Sequence, residues 1–162
     1  MGSPLGPVFA GIFMVDLRRT LMPHLQFHMS LWKRYVDDTI TWVKEDSIPH
    51  VISKLNNFHN NIKFTYEEEH NGQISFLDVL IIKKCNVIET TVYRKTTNND
   101  VYFHWNSFAP LTWKRGTIKT LLHRVHIICS TVEHKIKEIE HLRKVFKEIN
   151  GYPDWLITQA IN

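Results

Sequence analysis

At 162 residues with 43% hydrophobic side chains, the chain is about one domain's worth of polypeptide with enough apolar content to build a core. No unbroken apolar run is long enough to span a membrane, and Met1 is followed by Gly and Pro rather than a basic segment, which speaks against membrane insertion and secretion. The net charge of +4 is unevenly placed: residues 1–93 carry 9 basic and 10 acidic side chains, residues 94–162 carry 11 and 6, so a phosphate backbone is expected to lie on the C-terminal part.

The first predicted element is a helix over residues 7–22, because Val8, Phe9, Ile12, Phe13, Leu17 and Leu21 recur at three- and four-residue spacing and Pro7 suits a first helical turn. Pro23 is expected to end it. Two β-favouring runs, 31–36 and 39–44, flank Asp37 and Asp38 and predict a hairpin with both carboxylates at its turn. Adjacent carboxylates are ordinary turn chemistry; they are also hard oxygen ligands of the kind a hydrated Mg²⁺ ion takes. Residues 48–60 have the period of a second helix through Val51, Ile52, Leu55 and Phe58. Ile62, Phe64 and Tyr66 alternate as a strand, Asn71-Gly72 is the strongest turn signal, and the runs 73–83 and 86–94 are expected to pair.

Beyond residue 110 the pattern becomes helical. Ile118, Leu121, Leu122, Val125 and Ile128 make one face, with Lys114, Arg115, Lys119, His123 and Arg124 on the other. A second helix is predicted through Val132, Ile136, Ile139, Val145, Phe146 and Ile149, capped by Ser130 or Thr131 and stopped by Gly151. Pro153 opens a third, through Trp155, Leu156 and Ile157. Neither later helix offers Arg, Asn or Gln near its start for base readout, so phosphate gripping is the expected mode. The aromatic segment Tyr102-Phe103-His104-Trp105-Asn106-Ser107-Phe108 reads as packing between subdomains or as rings that stack on unpaired bases. Cys85 and Cys129 match no zinc or disulfide spacing, which points to a reducing intracellular compartment.

Gly2-Ser3-Pro4-Leu5-Gly6-Pro7-Val8 followed by Tyr35-Val36-Asp37-Asp38 resembles reverse-transcriptase motifs B and C in order. Ile62-Lys63-Phe64-Thr65-Tyr66-Glu67-Glu68-Glu69, Ile74-Ser75-Phe76-Leu77-Asp78-Val79, Val92-Tyr93-Arg94-Lys95 and Asn150-Gly151-Tyr152-Pro153 resemble, in sequence order, the reverse transcriptases of Penelope-like retroelements. The resemblance covers essentially the whole chain. Thr96 departs from it where the family usually has proline, and Gly6 where many relatives have serine.

What the resemblance implies is an α+β fold: a partial palm of antiparallel strands with helices over residues 1–100, then an all-helical thumb, helix-turn-helix-like, over 101–162. Asp37 and Asp38 would bind Mg²⁺ and, with Lys63, carry catalysis; Gly2, Ser3, Pro4, Tyr35, Phe76, Leu77 and Asp78 would contact nucleotide or primer; Arg94, Lys95, Lys114, Arg115, Lys119 and Arg124 would contact phosphates. The implied partners are an RNA template, a DNA primer and deoxynucleotides, in an intracellular and, by family analogy, nuclear setting. The family places a further aspartate in motif A, upstream of the Gly-Ser-Pro segment. The expectation is therefore a fragment that is inactive alone and would need the missing N-terminal half of the polymerase. The competing expectations are a noncatalytic nucleic-acid-binding helix-turn-helix module and an inert mobile-element remnant.

Overall fold

The computed structural model describes residues 4–161. The chain divides into two compact units, Met1–Glu68 and Glu69–Asn162. Among the described residues it is a mixed α+β protein with two small antiparallel sheets and five α-helices.

In the first unit, helix α1 spans Gly6–Leu25. Phe13, Leu17, Leu21 and Leu25 lie along one side of it and pack with Met29, Val51 and Leu55 as the core. Pro23 does not end the helix as its residue type predicts. It sits in the last turn, where it forfeits one intrahelical bond, while Leu21 and Leu25 are buried on either side and the Gln26 N–H closes on the Met22 carbonyl at 3.0 Å.

Strands β1 (Met29–Tyr35) and β2 (Asp38–Val43) pair antiparallel, Tyr35 opposite Asp38. That register makes Val36 and Asp37 a two-residue loop and puts Asp38 at the start of β2, so the turn falls one residue earlier than the flanking runs predict and holds one carboxylate rather than both. Such loops need a positive φ at their first central residue, which Gly or Asn supplies at little cost. Here the residue is Val36, at φ 52°. A β-branched side chain in the left-handed region carries about 1–3 kcal/mol of strain. The Arg34 guanidinium holds the loop by donating to the Val36 carbonyl at 2.5 Å. Val36→Gly is expected to stabilise this unit by about 1 kcal/mol, read as a higher urea midpoint at unchanged slope; a lower midpoint would mean the loop is unstrained.

A 3-10 turn, Glu45–Ser47, leads into α2 (Ile48–Asn56), which buries Val51 and Leu55. The helix ends short of residue 60, and Phe58 joins the core from beyond it. Residues 62–66 alternate but form no strand. Their anchor is Asn56, whose Oδ1 accepts from the Phe64 N–H at 2.6 Å and whose Nδ2 donates to the Phe64 carbonyl at 3.2 Å. One amide side chain thus takes the place of a neighbouring strand.

The second unit opens with the Asn71-Gly72 turn, both residues at positive φ, 53° and 73°. His70 and Gln73 exchange backbone hydrogen bonds across it. Three strands follow as a meander: β3 (Gln73–Phe76), β4 (Val79–Lys84) and β5 (Val87–Val92). The run 73–83 is two strands rather than one, folded back at Leu77-Asp78 with Phe76 opposite Val79 and Leu77 at φ 54°.

Helix α3 (Leu111–Ile128) and helix α4 (Val132–Lys144) are followed by a single π turn, Val145–Ile149, and by α5 (Asp154–Ile161). Ile118, Leu121, Leu122, Val125, Leu142, Phe146, Tyr152, Leu156 and Ile157 make the core. Thr131 caps α4, accepting from the His134 N–H at 3.2 Å, while Ser130 bonds the sheet by accepting from the Thr90 N–H at 2.9 Å. Gly151, at φ 69°, stops the helix; a Cβ there would come within 3.0 Å of the His104 ring. Val132, Ile136 and Ile149, expected on the buried face, are exposed, and Glu138 and Leu142 face inward instead.

The sheet meets α4 through Glu89, whose carboxylate lies 2.9 Å from both Lys84 Nζ and His134 Nε2. Hydrogen bonds from Lys84 and then His134 hold the Glu89 carboxyl below the usual carboxylate range. A depressed folded-state pKa stabilises above the unfolded value and is lost as pH falls through the folded one. The second unit is therefore expected to lose stability on acidification below the ordinary glutamate range, and Glu89→Gln to flatten that limb of a pH-dependent melting curve.

Candidate nucleic-acid interface

Helix α3 carries Lys114, Arg115, Lys119, His123, Arg124 and His126 and no acidic residue. Its buried face, Ile118, Leu121, Leu122 and Val125, fixes which of these point outward. Arg115, Lys119 and His123 follow at four-residue intervals, with His126 one turn on, all four exposed or partly so. At 1.5 Å per residue this stripe runs about 16 Å along the helix.

The other predicted phosphate contacts stand differently. Lys114 is buried, 7% exposed. Its ammonium donates to the carbonyls of Trp105 and Ser107 at 2.6 and 2.7 Å and lies 5.4 Å from the Trp105 ring centroid. It pins the aromatic segment onto α3. Arg94 is bonded to both carboxylate oxygens of the buried Glu138, with Asp100 at 3.4 Å. Burial opposes its charge, yet the hydrogen bonds and charge of Glu138, with Asp100 behind them, hold its guanidinium above the usual arginine range. Arg124 pairs with Asp78 at 3.0 Å. Lys95 is exposed.

A cleft of about 340 Å³ in the second unit brings five predicted residues together: Leu77, Asp78, Arg94, Lys95 and Arg124. Tyr102 also lines it, its hydroxyl proton held more tightly by burial and then by the charge of Asp100. Phe76 ends β3, half-buried. In the first unit Tyr35, Asp37 and Asp38 stand together, exposed, at the β1–β2 turn, and Lys63 is exposed with its ammonium 3.4 Å from the Asn56 carbonyl. Pro4 is exposed; Gly2 and Ser3 lie outside the described residues. Among the described residues no three His, Cys, Asp or Glu side chains gather as a metal-ligand set.

The aromatic segment divides. Tyr102 and Trp105 turn inward against Phe146 and Tyr152. Phe103 and Phe108 are exposed, and the Phe103 ring lies tilted against Trp113 of α3, centroids 6.3 Å apart, Trp113 itself being 61% exposed. Sequence reasoning passes over Trp113. Its place on the polar side of the α3 periodicity, between Thr112 and Lys114, is the signal that could have found it.

Three helices, the first two joined by a tight capped turn and the last two by a glycine stop, are the frame of a helix-turn-helix region. Residues 101–162 match the family model described as an animal helix-turn-helix domain. The match takes in the aromatic segment and all three helices and covers less than half of the chain. No curated protein and no solved structure matches the chain. No helix among the described residues is long and apolar enough to cross a membrane.

Proposed function

We propose that the C-terminal region is a nucleic-acid-binding module that grips the phosphate backbone through the outer face of α3. The carrying observation is the stripe Arg115, Lys119, His123 and His126 on a helix without a single carboxylate. Its cations make no ion pair among the described residues, unlike Arg94 and Arg124. Direct base readout is disfavoured, because α5 opens on Asp154, which would meet phosphates with like charge, and α4 presents Glu133 in its first turn. Fluorescence-anisotropy titration of the chain with duplexes of unrelated sequence tests this reading. Affinity is expected to be nearly sequence-independent and to fall with log salt at a slope of about −2 to −4; strong preference for one sequence would replace phosphate gripping with base recognition.

A second reading, a fragment of a reverse transcriptase, is favoured by the β1–β2 turn. Ordinary turn chemistry would place Gly or Asn where Val36 stands, and a strained loop with one exposed carboxylate in it and a second at the strand end beside it accords better with a constrained site than with a solvated turn. In this reading Asp37 and Asp38 hold Mg²⁺, Tyr35 supports the primer end or nucleotide, and Lys63 lies where a lysine protonates pyrophosphate. The Leu77-Asp78 turn and the cleft around Arg94, Lys95 and Arg124 hold the primer, with residues 1–100 as partial palm and 101–162 as thumb. Mg²⁺, when bound, offsets the charge that develops on phosphate during transfer. Two carboxylates position the metal weakly, so no template-dependent incorporation is expected from the chain unless a partner supplies the third. Incorporation by the purified chain would overturn that expectation. Absence of both binding and incorporation would leave the remnant reading.

A further inference from the structure

The first unit leaves a sheet edge and a helix face open side by side. Helix α1 is apolar on two sides. Opposite its core-facing leucines, Val8, Ile12 and Val15 are 55%, 59% and 61% exposed, and the same face continues through Arg19 to Met22, which is half-buried where it packs against the core. Strand β1 pairs with β2 on one edge and with nothing else among the described residues. Alternate amides and carbonyls on its other edge therefore lack strand partners, and a two-stranded sheet is marginal on its own. A groove of about 590 Å³ runs between the two elements, lined by Val15, Arg18, Arg19 and Met22 of α1 and by Leu31 and Trp32 of β1. Neighbouring residues of a strand line a groove together when the strand presents its edge, since its side chains alternate between faces.

We propose that this edge accepts a third β-strand from a partner: an extended peptide segment whose every second residue, the ones that face α1, is in turn apolar and acidic. Its main chain pairs with β1, its apolar side chains cover Val15, Met22 and Trp32, and its carboxylates meet Arg18 and Arg19. Those two guanidiniums are exposed and form no ion pair among the described residues, so an acidic partner is the complementary one. A second copy of the chain is a poor occupant. Its own edge, Met29–Tyr35, carries Lys33 and Arg34 and no carboxylate, which would set like charges against Arg18 and Arg19. A nucleic-acid strand offers phosphates to the arginines but no backbone that completes the ladder. The inference is independent of the binding assigned to α3.

The test uses the whole chain and an end-blocked peptide of about nine residues in which every second position is in turn Val and Glu, with Thr between, long enough to span one strand. Hydrogen exchange of the outward-facing β1 amides is expected to slow about tenfold with this peptide. It should be unchanged with the same peptide N-methylated at alternate residues, and with a Val/Lys version. Arg18→Glu with Arg19→Glu, both exposed and outside the core, should weaken the Val/Glu peptide about tenfold while leaving the melting transition in place. Equal binding of the N-methylated peptide would reduce the site to apolar contact and overturn the proposal. So would protection elsewhere, no binding at all, displacement of the peptide by an oligonucleotide, or protection that appears with chain concentration alone.

Discussion

The double substitution Arg115→Glu, Lys119→Glu is expected to weaken duplex binding about 100-fold at roughly 50 mM salt and to reduce the salt slope by about 2, one unit for each phosphate that is no longer neutralised. Both side chains are exposed, one turn apart on α3 and not among its buried residues, so the circular dichroism spectrum should be unchanged. Arg124→Gln should cost far less. That guanidinium is already paired with Asp78, and the pair must open before a phosphate can replace it. Lys114→Ala should act on stability instead, since its ammonium is buried and bonds two carbonyls of the aromatic segment. If binding survives the double reversal, the basic surface lies elsewhere and the assignment to α3 fails.

Asn150→Ala is expected to remove about 3 kcal/mol from the second unit, lowering its melting temperature by about 15 °C for a unit of this size. Asn150 is 1% exposed. Its Oδ1 accepts from the Tyr102 N–H at 2.7 Å, and its Nδ2 donates to the carbonyls of Asp100 and Val145, both at 3.0 Å. Alanine leaves three backbone groups, one buried and two partly so, without these partners and a hole beside the π turn, a wider turn that exists here because the Asn150 N–H reaches back to the Val145 carbonyl. Asn150→Asp should be as damaging, because it replaces the donor with a charge facing two carbonyl oxygens. Differential scanning calorimetry decides; a loss under about 1 kcal/mol would mean that water takes over those groups.

Much of this fold is legible in local pattern. The three C-terminal helices and the Asn71-Gly72 turn follow from periodicity and turn chemistry, each of which acts within a few residues; the β1–β2 hairpin follows from its two β-favouring runs, but not its loop, which falls at Val36-Asp37 against turn chemistry. What escapes is decided by distant partners. Residues 62–66 alternate, but alternation describes a face and cannot supply the strand that a ladder needs; Asn56 supplies two hydrogen bonds in its stead. The exposed Val132 and Ile136 and the buried Glu138 reverse the expectation for α4. The reason is Arg94, 44 residues away, which brings Glu138 into the interior as a paired carboxylate. The same holds for Lys114, whose residue type announces solvent and whose surroundings supply two carbonyls and an indole ring. At the candidate site, charge counting finds α3, yet only geometry separates Arg115 and Lys119 from arginines already engaged within the fold.

Val36, Leu77 and Cys85 hold φ values of 52°, 54° and 49°, so three tight loops of this chain sit in a conformation their side chains resist. Loops of that kind do not nucleate hairpins. Their closure is expected to follow the main folding barrier, an order that the refolding and unfolding arms of a chevron would read for Val36→Gly. With that order, strain stored there governs how fast the native state opens rather than how fast it forms, and relieving it is expected to slow unfolding while leaving the refolding rate where it was.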